Sequence, residues 1–168
     1  MGTREHKKQS PRKLRVGILS VSTTRSLADD KSGAWIQKLA VKEGHQVVCH
    51  KVVPDDVEAI SETVMAVCEE LSPQALLLTG GTGISVRDVT IEAVRPLFKK
   101  ELPAFGVIFS QLSFEEIDSA AILSRATAGI VGGTVIFCIP GSLKACKLAC
   151  KALIFPELGH IVKHMQDG

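Results

Sequence analysis

Three glycines within four positions, Gly80, Gly81 and Gly83, follow an apolar run that ends in Thr79, and Arg87 and Asp88 close the same stretch before a new helical pattern begins. Backbone without side chains lets several N–H groups converge on one anion where a strand gives way to a helix, and phosphate is the usual anion. Thr79 and Thr82 add hydroxyls that either reach phosphate oxygens or close the turn on their own backbone. Arg87 offers a guanidinium to offset phosphate charge or to pair with an acid. No Gly-Lys-Ser/Thr follows, so this is not a Walker loop, and GGTG does not give the dinucleotide fingerprint G-x-G-x-x-G. The stretch identifies a ligand class and no reaction.

Two carboxylates are placed to act beside it. Asp55, after the run ending in Pro54, and Asp88 both follow strand-like segments. A carboxylate near a polyphosphate generally holds Mg²⁺ instead of touching the phosphate. Asp55 and Asp88 are therefore the candidate catalytic pair, with Asp55 the candidate Mg²⁺ ligand. An aspartate ahead of a helix is equally a favoured cap, worth about 1 kcal/mol with no function at all. Ser22 on the first linker, Ser110, and the turn Pro140-Gly141-Ser142 complete the candidates for substrate or phosphate binding, and Ser142 also suits a helix cap. Ser113 with Glu116 has capping-box spacing. No histidine is placed as the base of a nucleophile, and no Ser-His-Asp arrangement is visible. His160 and His164 share a helix face without the glutamate of a zinc protease motif, so a solvated face is expected there.

A repeating strand–helix pattern must position these residues. Leu14 to Ser22 reads as a buried strand, and the polar linker after it leads to a helix through Trp35, Ile36, Leu39 and Ala40, with Asp30 or Ser32 as cap and Gly44 as stop. HQVVCHKVV is a second strand, and Asp55 with Glu58 suits the start of a second helix. ALLLT is a third strand. The helix after the glycine loop must be short or kinked at Pro96. This cadence predicts an α/β fold: three layers, a mostly parallel sheet with helices on both faces, and one antiparallel strand supplied by a C-terminal hairpin around Gly132-Gly133. The stretch from Leu102 to Ala126 reads as two or three short helices, and Pro156 as an interruption of the last one. Ligands of parallel sheets collect outside the carboxyl ends of the strands. The first linker, the Pro54-Asp55-Asp56 turn and the glycine loop all belong to that edge.

At 168 residues and 45% hydrophobic content the chain suits one domain, residues 14–168, behind a flexible basic tail, residues 1–13. Residues 1–15 hold six Lys/Arg against one Glu, so the remainder is mildly acidic and no broad nucleic-acid surface is expected. No apolar run approaches the length of a membrane span, and the tail has no signal-peptide core. Five cysteines without C-x-x-C pairing read as buried residues of a reducing cytoplasm.

TGGTGISVRDVTIEA, the earlier VPDD, the later Leu123-Ser124-Arg125 and the IPGS turn together resemble the MoaB and MogA family of molybdenum cofactor biosynthesis proteins, also seen in the gephyrin and plant Cnx domains. The similarity runs from about Leu14 to Ile154, and FSQLSFEEI is closer to the MoaB branch. The resemblance implies a molybdopterin adenylyltransferase that uses ATP and Mg²⁺, with catalytic aspartates carried onto Asp55 and Asp88. It also implies a homo-oligomer, a trimer or a hexamer built as a dimer of trimers. Ile91 stands where the family commonly has proline, and Ser110 where several relatives have arginine. The alternatives are a non-catalytic molybdopterin-binding or assembly protein of the same family, or a nucleotide pyrophosphatase like the competence-damage proteins.

Overall fold

The computed structural model describes residues 10–167, so most of the expected basic tail lies outside the described residues. Its inner end is packed: a Cβ on Gly159 would meet Pro11 O at 2.8 Å and Ser10 Cβ at 3.3 Å.

Alternation along the strands decides the layering. In β1 (Arg15–Val21), Val16 and Ile18 join one hydrophobic cluster while Leu19 and Val21 join another. In β3 (Ala75–Thr79), Leu77 divides from Leu76 and Leu78 in the same way. Successive side chains of a strand point to opposite faces, so a run apolar at every position must be covered on both. Helices provide the cover. One face carries α1 (Lys31–Lys42), α4 (Pro103–Ile117), α5 (Leu143–Ala149) and α6 (Phe155–Gln166), and the other carries α2 (Val57–Ala66) and α3 (Thr90–Val94). Each fully buried aliphatic side chain contributes roughly 1.5–3 kcal/mol.

With β2 (Gln46–Val53), β4 (Lys100–Glu101), β5 (Thr127–Val131) and β6 (Thr134–Ile139), the sheet has the order β2-β1-β3-β6-β5-β4. The pairs β1–β2, β1–β3 and β3–β6 are parallel. β5 runs antiparallel to both β6 and β4, and the hairpin turns at Gly132-Gly133 between the paired residues Val131 and Thr134. The expected three-layer α/β architecture and its one reversed strand are both present. β4 was not expected, because two exposed charged residues carry no strand signal.

Three local expectations differ. Two helical segments do fill the stretch from Leu102 to Ala126, but the first, residues 103–117, is long and continuous, with Ser113 buried within it instead of capping a new one, and a 3-10 helix over Asp118–Leu123 follows. Pro103 occupies the first turn of the long helix, where a missing N–H costs nothing, and no second proline follows before its end. Pro156 does not interrupt the last helix either. Cys150–Ile154 winds as a wider π turn that leads from α5 into α6, and Pro156 then falls in the first turn of α6.

Candidate functional site

The carboxyl ends of β1, β3 and β6 deliver three loops to one cavity of about 260 Å³, lined by Ser22, Arg25, Gly80 to Gly83, Asp88, Ser124 and Gly141 among others. Gly80 and Gly81 turn the chain there with φ of +101° and +64°, values that L side chains seldom adopt. The carbonyls of the loop are tied away from the cavity. Thr90 donates through Oγ1 to Gly80 O at 2.8 Å and through its N–H to Gly81 O at 2.9 Å. Arg125 Nε donates to Thr82 O at 2.9 Å and Gly83 O at 3.0 Å, and its Nη1 meets Glu92 at 2.5 Å. That bond holds the Glu92 carboxyl below its usual range, and the same bond raises the Arg125 guanidinium. Among the described residues, the N–H groups of Gly81, Thr82 and Gly83 donate to no protein acceptor. A peptide whose carbonyl is bound on one side presents its N–H on the other, so the loop is an anion cradle by its own hydrogen bonding. The helix contributes less than expected: α3 is five residues long and begins only at Thr90, well past the glycines.

Asp55 and Asp88 flank this cradle. Asp55 Oδ1 lies 3.3 Å from where a Cβ on Gly81 would stand, and Asp88 Oδ2 lies 2.8 Å from the same position on Gly83. Asp55 does not cap α2. The cap is Asp56, whose Oδ1 accepts from the Ala59 N–H at 2.8 Å. Asp55 instead turns to the first linker, where its Oδ2 accepts from the Thr23 N–H at 2.7 Å and from Thr23 Oγ1 at 2.9 Å. Asp88 Oδ2 accepts from the Ser85 N–H at 2.9 Å, which closes the outer turn of the loop. Each carboxylate thus commits one oxygen to backbone, and neither Oδ1 takes a hydrogen bond among the described residues. Hard divalent cations take oxygen donors of this kind, so each carboxylate has the donor chemistry Mg²⁺ requires.

The other candidates divide. Gly80, Gly81, Thr82, Gly83, Pro140, Gly141 and Ser22 line the cavity, although Ser22 Oγ also accepts from the Arg25 N–H at 3.1 Å. Thr79 is buried behind it and spends its hydroxyl on Pro140 O at 3.1 Å, and Ser142 caps α5 through the Ala145 N–H. Arg87 is exposed and absent from the lining, where Arg25 stands in its place. Ser110 lies on α4 beside a second cavity of about 540 Å³, which adjoins the first at Ser124 and is also lined by Arg95 and Arg125. Sequence reasoning assigned no role to Arg25, Thr90, Ser124 or Arg125, and the only signal for two of them was the Leu123-Ser124-Arg125 string. Cys138, in the core of the sheet, is not poised as a nucleophile, because burial pushes its thiol up to about 12.

Behind the first linker lies a buried polar cluster that sequence reasoning also missed. Asp30 caps α1 through the Gly33 N–H at 3.0 Å, accepts from Ser20 Oγ, meets His50 Nε2 at 2.7 Å, and stands 3.9 Å from Arg25 Nη1. Burial acts to raise this carboxyl. The hydrogen bonds from Ser20, the Gly33 N–H and His50, with the His50 charge, outweigh burial and hold it below its ordinary value. A carboxyl depressed by folding contributes stability that is complete above its unfolded value, near about 4, and is lost as pH falls through the lower folded value. Urea midpoints are therefore expected to fall as pH drops below about 4, and Asp30→Asn should remove that part of the acid slope. An unchanged slope would exclude Asp30 from the acid transition. Asp30→Ala, which strands the buried Ser20 hydroxyl and Gly33 N–H and the partly buried His50, should cost about 3 kcal/mol.

Comparison with known proteins places this geometry in a family. The model of the probable molybdopterin binding domain matches residues 17–160. The chain is 47% identical over 167 residues to molybdenum cofactor biosynthesis protein B of Bacillus subtilis, covering 99% of this chain and 98% of that protein. It is 41% identical over 175 residues to the molybdopterin adenylyltransferase of Pyrococcus furiosus, covering 99% of this chain and 100% of that one. A crystal structure of a molybdenum cofactor biosynthesis protein B superposes with a TM-score of 0.91 at 43% identity, covering 95% of this chain and 100% of that chain.

Proposed function

The chain belongs to the molybdopterin-binding domain family, and from that premise we propose that it is a molybdopterin adenylyltransferase, moving AMP from ATP to the terminal phosphate of molybdopterin. An oxygen of that phosphate forms a bond to the α-phosphorus of ATP, the bond from that phosphorus to the β-bridging oxygen breaks, and pyrophosphate leaves. Nucleotidyl transfer needs charge neutralisation and in-line placement more than it needs a covalent nucleophile. The observation that carries this reading is the convergence of three unspent loop amides with two carboxylates, each holding one oxygen in reserve. In this assignment Asp55 and Asp88 are catalytic and Asp55 is the Mg²⁺ ligand; the bound ion would neutralise phosphate charge. The amides of Gly81, Thr82 and Gly83 bind phosphate oxygens, Ser22 and the Pro140-Gly141 turn shape the wall, and Arg25 adds a positive charge. Arg125 and Thr90 keep the carbonyls turned out. The adjoining cavity beside Ser110, at about 540 Å³, is large enough for a heterocyclic ring.

The wider reading takes residues 14–168 as one molybdopterin-binding unit that associates with further copies as a trimer or hexamer. An apolar exposed face on α4 and the turn after it supports association: Val107, Ile108, Phe114, Ile117, Ile122 and Leu123 all stand at the surface. A cytoplasmic location is supported by five cysteines that are all unpaired. No helix among the described residues is long and apolar enough to cross a membrane.

The test is incubation of the purified chain with molybdopterin, ATP and Mg²⁺, followed by mass spectrometry for the adenylylated product and a coupled assay for pyrophosphate. Equimolar product and pyrophosphate are expected. Equilibrium binding of both substrates without turnover would refute the enzyme and leave a binding or assembly protein.

A further inference from the structure

The glycine loop does not exhaust the chemistry of this chain. The hairpin at Gly132-Gly133 lies at the amino end of β6, on the sheet edge opposite the loop, and beside it is a cavity of about 640 Å³ between α6 and the β4–β5 edge. Two of its lining residues are His160 and His164, one helical turn apart. Their Nε2 atoms face each other at 3.0 Å, with ring centroids 4.6 Å apart and planes inclined by 58°. Glu157, a further turn back, places Oε2 3.1 Å from His160 Nδ1.

We propose that His160 and His164 form a bidentate site for a late divalent transition metal, with Glu157 as the orienting carboxylate. A carboxylate on Nδ1 fixes the ring so that Nε2 is the donor, raises its basicity, and is the usual outer partner of a metal-bound histidine. The spacing narrows the choice of ion. With metal–nitrogen bonds near 2.0–2.1 Å, two nitrogens stand about 2.9 Å apart at a right angle and about 3.4 Å apart at a tetrahedral one. The observed 3.0 Å suits the near-90° angle of Cu²⁺ or Ni²⁺ better than tetrahedral Zn²⁺.

Among the described residues no third His, Cys, Asp or Glu completes the set, so the protein supplies two ring nitrogens and the outer carboxylate of Glu157. Lys99 and Lys100 line the same cavity and weaken the site by repulsion, while Ile161 and Met165 give it an apolar wall. The cavity shares no lining residue with the one at the glycine loop, so metal binding and AMP transfer are separable.

The full chain is titrated with NiCl₂ by calorimetry and with CuCl₂ by electron paramagnetic resonance. One ion per chain with at least two equatorial nitrogens is expected. His160→Gln and His164→Gln should each weaken binding at least tenfold, and Glu157→Gln by about tenfold, with AMP transfer unchanged in all three. His164 is exposed, so its substitution leaves the core packing alone. Undiminished affinity in either histidine variant, or a copper spectrum with fewer than two nitrogens, would overturn the site.

Discussion

Asp55→Ala is expected to lower AMP transfer by on the order of 10³-fold, with the fold and molybdopterin binding largely intact, whereas Asp56→Ala costs about 1 kcal/mol of stability and leaves the rate alone. Adjacent aspartates do different work here because only one of them faces the helix. Asp56 spends its carboxylate on the first turn of α2, which needs an acceptor for its unpaired N–H groups. Asp55 is half-buried against the glycine loop, held from the other side by Thr23, and directs Oδ1 toward Gly81. Its removal takes away the carboxylate beside Gly81 and releases the Thr23 tether of the first linker. The comparison is read in one assay, product formation under saturating ATP and Mg²⁺, with thermal melts of both variants. Wild-type turnover by Asp55→Ala would remove that residue from the chemistry, and equal losses in both variants would show the turn as a whole to matter instead of the carboxylate.

Gly81→Ala should close the cradle from within. A Cβ there would run into Thr90 Oγ1, crowd Val21 Cγ1 at 3.2 Å, and stand 3.3 Å from Asp55 Oδ1. The positive φ alone costs a non-glycine residue about 1–2 kcal/mol, and loss of the Thr90 bond about 1 kcal/mol more. The chain survives, but the amides that face the cavity are turned or covered. ATP affinity and AMP transfer are both expected to fall, the rate by on the order of 10²-fold, while the far-ultraviolet circular dichroism keeps its shape. A variant with normal ATP affinity and normal rate would mean that phosphate is held elsewhere.

Much of the fold was legible because its signals are local. Apolar runs at every position announced strands covered on both faces, and a Gly-Gly pair between two β-prone runs announced a hairpin. The convergence of three loops at one edge followed from the parallel order. What stayed hidden depended on choices that neighbours make jointly. Asp55 and Asp56 both stand within reach of α2, and nothing in their order says which one Thr23 will claim. Ser113 and Glu116 have the spacing of a capping box, yet that spacing also occurs within a continuous helix, where Ser113 now lies. Asp30 reads as a helix cap and is one, but its union with Ser20 and His50 joins segments that only the pairing of β1 with β2 brings together. The guanidiniums were hardest to place. Arg87 lies beside the glycines in the chain and outside the cavity in space, while Arg25 and Arg125 arrive from distant segments.

Arg125 can arrive because β5 is reversed. When every strand of a sheet advances the same way, only segments departing from strands gather at the carboxyl edge, and those approaching a strand gather at the other. One reversal brings in an incoming segment, so the brace of the glycine loop is anchored by the strand about to begin. The hairpin that creates this reversal sits at the far rim, with open space around Gly132 and Gly133. Lengthening it by a few residues would leave catalysis untouched, whereas displacing β5 by one register would withdraw the brace without altering a single residue of the loop it holds.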